Sequence, residues 1–105
     1  MIEHVWEFYV KPKCEIPFET LNGPDGKWAE FFRNSPDFYG TYFKKMEMML
    51  KDEKSARRYL THDRWTSEEA FSRYIEETEF NQKEFQRLSQ KNSELIVGKE
   101  ELGWF

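Results

Sequence analysis

Ile2 to Val10 alternates along its length, with Ile2, His4, Trp6, Phe8 and Val10 on one face and Glu3, Val5, Glu7 and Tyr9 on the other. This period of two predicts a first strand, which Lys11-Pro12-Lys13 ends because proline has no amide hydrogen for a ladder. From Pro17 to Asn34 the spacing turns helical. Asn22-Gly23-Pro24-Asp25-Gly26 interrupts it with strong turn chemistry, so the first helix is expected in two pieces. The second piece carries Trp28, Phe31 and Phe32 on its inner face.

Asn34-Ser35-Pro36-Asp37 closes that region. Phe38 to Leu50 reads as a second strand and Ala56 to Trp65 as a third, joined by the polar loop Lys51-Asp52-Glu53-Lys54-Ser55 as an antiparallel hairpin. At Trp65 the period changes. Thr66 is the expected N-cap of a helix, with Glu69 reaching back to complete a capping box, and Trp65 is placed to pack on Ala70. Phe71, Tyr74, Ile75, Thr78, Gln82, Phe85 and Leu88 then follow one helical stripe. Phe80 departs from it: nine residues past Phe71, at ~100° per residue, it points to the opposite side. Either the helix breaks near Glu77-Thr78-Glu79, or Phe80 packs against something outside the core of its own chain. Glu94 to Phe105, with two glycines, reads as a fourth strand carrying a bulge or bend.

The resulting order β-α-β-β-α-β is the ferredoxin-like split βαβ plan, an α+β fold with a four-stranded antiparallel sheet and its helices on one face. Residues 1–105 are expected to form a single domain. The plan leaves one sheet face bare, yet large groups fall on both faces: Trp6 and Phe8 oppose Val5 and Tyr9, and Phe38 and Tyr42 oppose Tyr39 and Phe43. Such a patch exceeds what soluble monomers normally expose. A two-fold dimer packed sheet to sheet is therefore expected.

Composition narrows the function. Charged residues make up 34% of the chain and hydrophobic ones 38%, with no run near the ~20 apolar residues of a membrane helix. No signal or transit peptide is expected ahead of the first strand. One cysteine, Cys14, excludes an internal disulfide and suits a reducing cytoplasm. A net charge of −4 argues against nucleic acid as a partner. The aromatic share of 18% implies a large core, a second buried surface, or a pocket for a planar ligand.

In His4-Val5-Trp6-Glu7-Phe8-Tyr9-Val10-Lys11-Pro12, Gly23-Pro24-Asp25-Gly26-Lys27-Trp28, Phe38-Tyr39-Gly40-Thr41 and Tyr59-Leu60-Thr61-His62-Asp63-Arg64-Trp65-Thr66-Ser67-Glu68-Glu69-Ala70-Phe71, the chain resembles the antibiotic biosynthesis monooxygenase-like families of the dimeric α+β barrel superfamily. The likeness spans nearly the whole chain and carries no catalytic signature. It implies a homodimer with a cleft between sheet and helices in each protomer. Some members oxidise polycyclic phenols with O₂ and neither metal nor flavin, others degrade haem or rearrange lactones, and fold does not decide among these. Haem degradation in that group uses an Asn on the first strand, and a Trp and a ligating His on the second helix. Phe8, Tyr74 and Glu84 fall at those positions here, so haem chemistry is not expected.

His4, His62 and Cys14 share no metal-ligand spacing, and there is neither a Gly-x-Ser-x-Gly elbow nor a phosphate loop. No cofactor or metal is expected. What remains is a cofactor-independent monooxygenase acting on an aromatic or quinol-type molecule, with a base titrating near neutrality, an anion-stabilising donor and aromatic walls. His62 is the mid-chain residue of the right kind, and Arg64, two residues on, shares its strand face. Trp6, Phe8, Trp28, Tyr42, Trp65 and Tyr74 are the candidate walls. Each has a plainer reading: His62 as a sheet histidine satisfied by a neighbour, Arg64 as an ion-pair residue, Trp65 as a structural plug, Tyr74 as core. The competing class is a non-catalytic ligand-binding or stress-related barrel. A cleft lined by a titratable group favours the enzyme, and a cleft plugged by Trp6, Trp28 and Phe32 favours the alternative.

Overall fold

The computed structural model describes Met1–Phe105. β1 (Ile2–Val10) leads through a single 3₁₀ turn (Pro12–Cys14) into α1 (Glu15–Asn22) and α2 (Lys27–Phe32), followed by the hairpin β2 (Phe38–Lys51) and β3 (Lys54–Trp65). α3 (Glu68–Glu76) and α4 (Glu79–Leu95) precede β4 (Ile96–Trp104). The sheet is antiparallel in the order β2-β3-β1-β4, which is the split βαβ plan. All helices cover one face.

The first helix is two pieces, as its turn chemistry implies, and the second breaks at Glu77-Thr78, where the Thr78 hydroxyl accepts the Asn81 amide at 2.9 Å. Of the two outcomes expected around Phe80 the helix break is the one seen, and the ring itself is 62% exposed. Ser67, not Thr66, caps α3: its Oγ accepts the Ala70 amide at 3.0 Å. Thr66 is diverted, its hydroxyl donating to Asp37 Oδ1 at 3.1 Å. Trp65 packs edge-on against the Phe71 ring, 5.4 Å away.

The hairpin loop is shorter than its polar run suggests. Only Asp52 and Glu53 lie outside the strands, at φ 51° and 67°, the left-handed pair that a two-residue type I′ turn requires. Neither residue suits that conformation as asparagine and glycine do. Replacing Asp52-Glu53 by Asn-Gly is expected to stabilise the protein by about 1 kcal/mol, read as a higher urea midpoint at unchanged slope.

Bulges settle which side chains face the helices. Phe38 pairs with Trp65 but Gly40 with Arg64, so Tyr39 is an extra residue and the alternation of β2 flips behind it. Gly40, at φ 124°, makes that kink. Phe38 and Phe43 therefore both face inward, with Phe43 stacked on Tyr59 at 5.8 Å. Tyr42 faces outward against His62. This corrects the pairing of Phe38 with Tyr42 on one face. In β4, Val97 and Leu102 are the extra residues, as the two glycines foreshadow.

Two aromatic clusters fill the space between sheet and helices. One centres on Trp65, Phe31, Phe32, Phe38, Tyr74 and Leu88, the other on Phe8, Val10, Phe18 and Tyr59. α1 is tied to the sheet by the Tyr59 hydroxyl, which donates to Glu19 at 2.5 Å, and by Glu15, which meets Lys45 and Arg57 at 2.9 and 3.2 Å. Burial pushes the Tyr59 phenol well above its ordinary pKa, helped by its hydrogen bond to Glu19. The remaining gap between the clusters is the candidate site.

Candidate ligand cavity

The cavity measures about 290 Å³ and has a strand wall and a helix wall. The strand wall follows from alternation: His4, Trp6 and Phe8 are the inward residues of β1, and Thr61 and Asp63 stand opposite Trp6 and His4 on β3. Lys99 of β4, paired with Phe8, reaches over the Trp6 ring at 5.2 Å from its centroid. The helix wall consists of Asn22, Trp28, Phe32, Phe71, Phe85, Ser89 and Asn92.

His4 is 6% exposed. It stacks flat on Trp104 at 4.2 Å and meets Phe71 edge-on at 5.3 Å, while its Nε2 lies 2.5 Å from Glu101 Oε2. The ring is thus fixed in plane and in rotation. Asp63, directly across the ladder from it, accepts the Thr41 hydroxyl at 2.7 Å. Burial of the Asp63 carboxyl pushes its pKa up to about 6, opposed by the Thr41 hydrogen bond and the charges of His4 and His62. An acid whose pKa is moved toward neutrality by desolvation, on the wall of an aromatic cavity, is a recognised mark of a functional site.

On the helix wall, Asn22 and Asn92 form a reciprocal amide pair. Asn22 Nδ2 donates to Asn92 Oδ1 at 2.7 Å and Asn92 Nδ2 to Asn22 Oδ1 at 3.1 Å. Asn22 Nδ2 also donates to the Phe18 carbonyl at 3.1 Å. Both residues are 6% exposed. No three His, Cys, Asp or Glu side chains converge as a metal-ligand set.

The sequence-derived candidates divide sharply. Trp6, Phe8 and Trp28 line the cavity. His62 and Arg64 do not: being one residue out of phase with Thr61, Asp63 and Trp65, they project from the helix-free face. There His62 Nδ1 lies 3.4 Å from Glu3, and Arg64 Nε 3.6 Å from the same carboxylate. Tyr42 stands beside His62 on that face, with ring centroids 5.7 Å apart. Trp65 is fully buried in the core, and Tyr74 is buried beside it, its hydroxyl donating to the Phe31 carbonyl at 2.5 Å. The residues that the sequence reading passed over are His4 and Asp63. Their signal was the alternation that already placed His4 with Trp6 and Phe8.

No protein-family model matches the chain, and no curated protein does. Among solved structures the chain is similar to the crystal structure of an ethyl tert-butyl ether D (EthD) family protein from Bacillus halodurans C-125. The TM-score is 0.53 at 12% identity, over 96% of this chain and 98% of that one. That likeness establishes the α+β fold. No helix is long and apolar enough to cross a membrane.

Proposed function

We propose that the chain is a monooxygenase-like enzyme that holds a flat phenolic or anthrone-type molecule in the cavity and oxidises it with O₂. The observation that carries this reading is Asp63, a carboxylate with a pKa raised to about 6, set opposite His4 on an aromatic-lined wall. Its carboxylate takes the acidic proton of the substrate, which leaves an electron-rich anion. Lys99 and, when protonated, His4 supply positive charge near that anion. The anion gives one electron to O₂, the two radicals combine at a ring carbon, Asp63 returns its proton to the resulting peroxide anion, and loss of water from the hydroperoxide converts a ring CH₂ to C=O. One oxygen atom stays in the product and the other leaves as water. The aromatic walls keep bulk water from the reacting centre.

His62 and Arg64 have no part in this chemistry, since the sheet separates them from the cavity. They belong to a face on which we infer that a second copy of the chain packs, completing a dimeric barrel in the cytoplasm. Tyr42, 50% exposed, and Leu60 stand on that face beside the ion pairs of Glu3 and of Arg58 with Glu7 and Glu47. A dilute sample sedimenting as a 12.9 kDa species would contradict the dimer. The alternative, a binding protein without turnover, is favoured by the way Trp6, Trp28 and Phe32 narrow the cavity to the low end of the roughly 300–1,000 Å³ usual for ligand pockets. O₂ consumption with anthrone and hydroquinone separates the two. Uptake that survives His62→Ala and is lost in Asp63→Asn supports the enzyme with this base; no uptake with either substrate removes the catalytic reading.

A further inference from the structure

β4 brings Glu101 and Trp104 together onto one histidine. In an unbroken strand these residues, three apart in the chain, would face opposite sides of the sheet. The extra residue at Leu102, next to Gly103 at φ 114°, restores their phase: Trp104 pairs with His4 and Glu101 with Trp6, so both stand on the helix side. Bulges re-aim side chains in this way. Trp104 stacks on the His4 ring at 4.2 Å, and Glu101 Oε2 lies 2.5 Å from Nε2. Glu101 is no part of the cavity lining, and its side chain is 50% exposed. The other ring nitrogen, Nδ1, makes no hydrogen bond within the chain, yet it is not sealed: the unpaired polar atoms closed to water are Trp28 Nε1, Arg64 Nε and Trp65 Nε1.

We propose that Glu101 is a positioning residue, which takes the Nε2 hydrogen of His4 and so makes Nδ1 the nitrogen that meets a ligand in the cavity. This rests on the cavity being the ligand site and adds a residue that acts on it from outside. An ionised carboxylate only accepts, so the nitrogen facing Glu101 carries hydrogen, and the partner of one imidazole nitrogen decides the state of the other. Trp104 covers a flat face of the ring, Phe71 meets it edge-on and Glu101 holds Nε2, which leaves the Nδ1 side for the cavity that His4 borders. Neutral His4 offers a lone pair there and protonated His4 an N–H, beside the Asp63 carboxyl across the ladder and the Lys99 ammonium of β4. Stacking fixes the plane of the ring but not which nitrogen lies where. The carboxylate does that, and without it the polar group of a ligand meets ring carbon or the wrong tautomer.

Nitrogen NMR of the full-length protein with ¹⁵N-labelled histidine tests this, before and after addition of 1-naphthol. In the free protein His4 should carry hydrogen on Nε2 and, once neutral, show a bare Nδ1. On binding, Nδ1 should move and Nε2 should not. Glu101→Leu removes the acceptor at a half-exposed position; it should mix the tautomers and weaken 1-naphthol about 3- to 10-fold, the worth of one hydrogen bond. Glu101→Gln keeps an acceptor oxygen and should hold the affinity to within about twofold of wild type. A bare Nε2 in the wild type, movement of Nε2 with Nδ1 still, an unchanged tautomer or affinity in Glu101→Leu, or equal weakening in both variants overturns the proposal while the cavity stands. The expected tautomer with neither His4 nitrogen moved by 1-naphthol removes the cavity as ligand site, and the role of Nδ1 with it. A response at Nδ1 without O₂ uptake on anthrone removes the catalytic reading alone and leaves Glu101 in place.

Discussion

Asp63→Asn is expected to make the protein more stable at pH 7 while reducing turnover about 100-fold or more, the scale set by loss of a general base. The stability gain follows from the raised pKa. Burial lifts the Asp63 carboxyl from 3.8 to about 6, so the folded state holds its proton more tightly than the unfolded chain. The contribution of that group is fully present below about pH 4 and is lost as the pH rises through 6. At pH 7 the charged form costs on the order of 2–3 kcal/mol relative to a neutral isostere. Asparagine is that isostere, and its carbonyl can still accept the Thr41 hydroxyl. Urea unfolding of both proteins at pH 4 and pH 7 checks the sign: the variant should be more stable at pH 7, and the gap should close toward pH 4. A gap independent of pH would show that Asp63 is not strained by its burial.

Trp65→Ala should be the most damaging single core truncation. Trp65 is fully buried, with ring contacts to Phe32, Phe38, Phe71 and Tyr74 at 5.1 to 6.0 Å. It therefore joins the helix–sheet core on β3 to α2 and α3 at once. Truncating such a residue costs about 3–5 kcal/mol through lost burial and the cavity left behind. A domain of this size loses roughly 4–8 °C of Tm per kcal/mol, so a fall of 12 °C or more is expected by calorimetry. The Trp65 indole N–H has no acceptor, so Trp65→Phe, which keeps an aromatic ring and removes that unpaired donor, should cost far less.

Element order was legible because the period changes cleanly from two to 3.6 at Trp65, and because proline and glycine punctuate the rest. Boundaries moved where two residues compete for one role. Thr66 and Ser67 both carry a hydroxyl, and only the tertiary position of Asp37 decides that Thr66 turns away and Ser67 caps. The face assignment of β2 was not legible, since one extra residue at Tyr39 reverses the side chains as far as Lys45, a second register shift follows before Met48, and Gly40 was the sole local hint of the first. The site was half legible. Trp6, Phe8 and Trp28 were found from aromatic spacing. His62 was chosen for its ordinary titration range and not for its face, although Tyr59 and Trp65, the large apolar residues of β3, occupy the odd positions and mark those as the inner side. Asp63 was invisible as a base because its raised pKa arises from burial between strands and helices distant in sequence.

The chain contains two histidines, and they stand on opposite faces of the sheet, His4 on the cavity wall and His62 on the helix-free side. Their imidazole C–H signals in an NMR titration with 1-naphthol therefore report directly which face takes the ring. The expected result is a saturable shift of the His4 signal with His62 unmoved. A shift of His62 with His4 unmoved would place the ligand outside the cavity and contradict the assignment of Asp63 and His4 to the site.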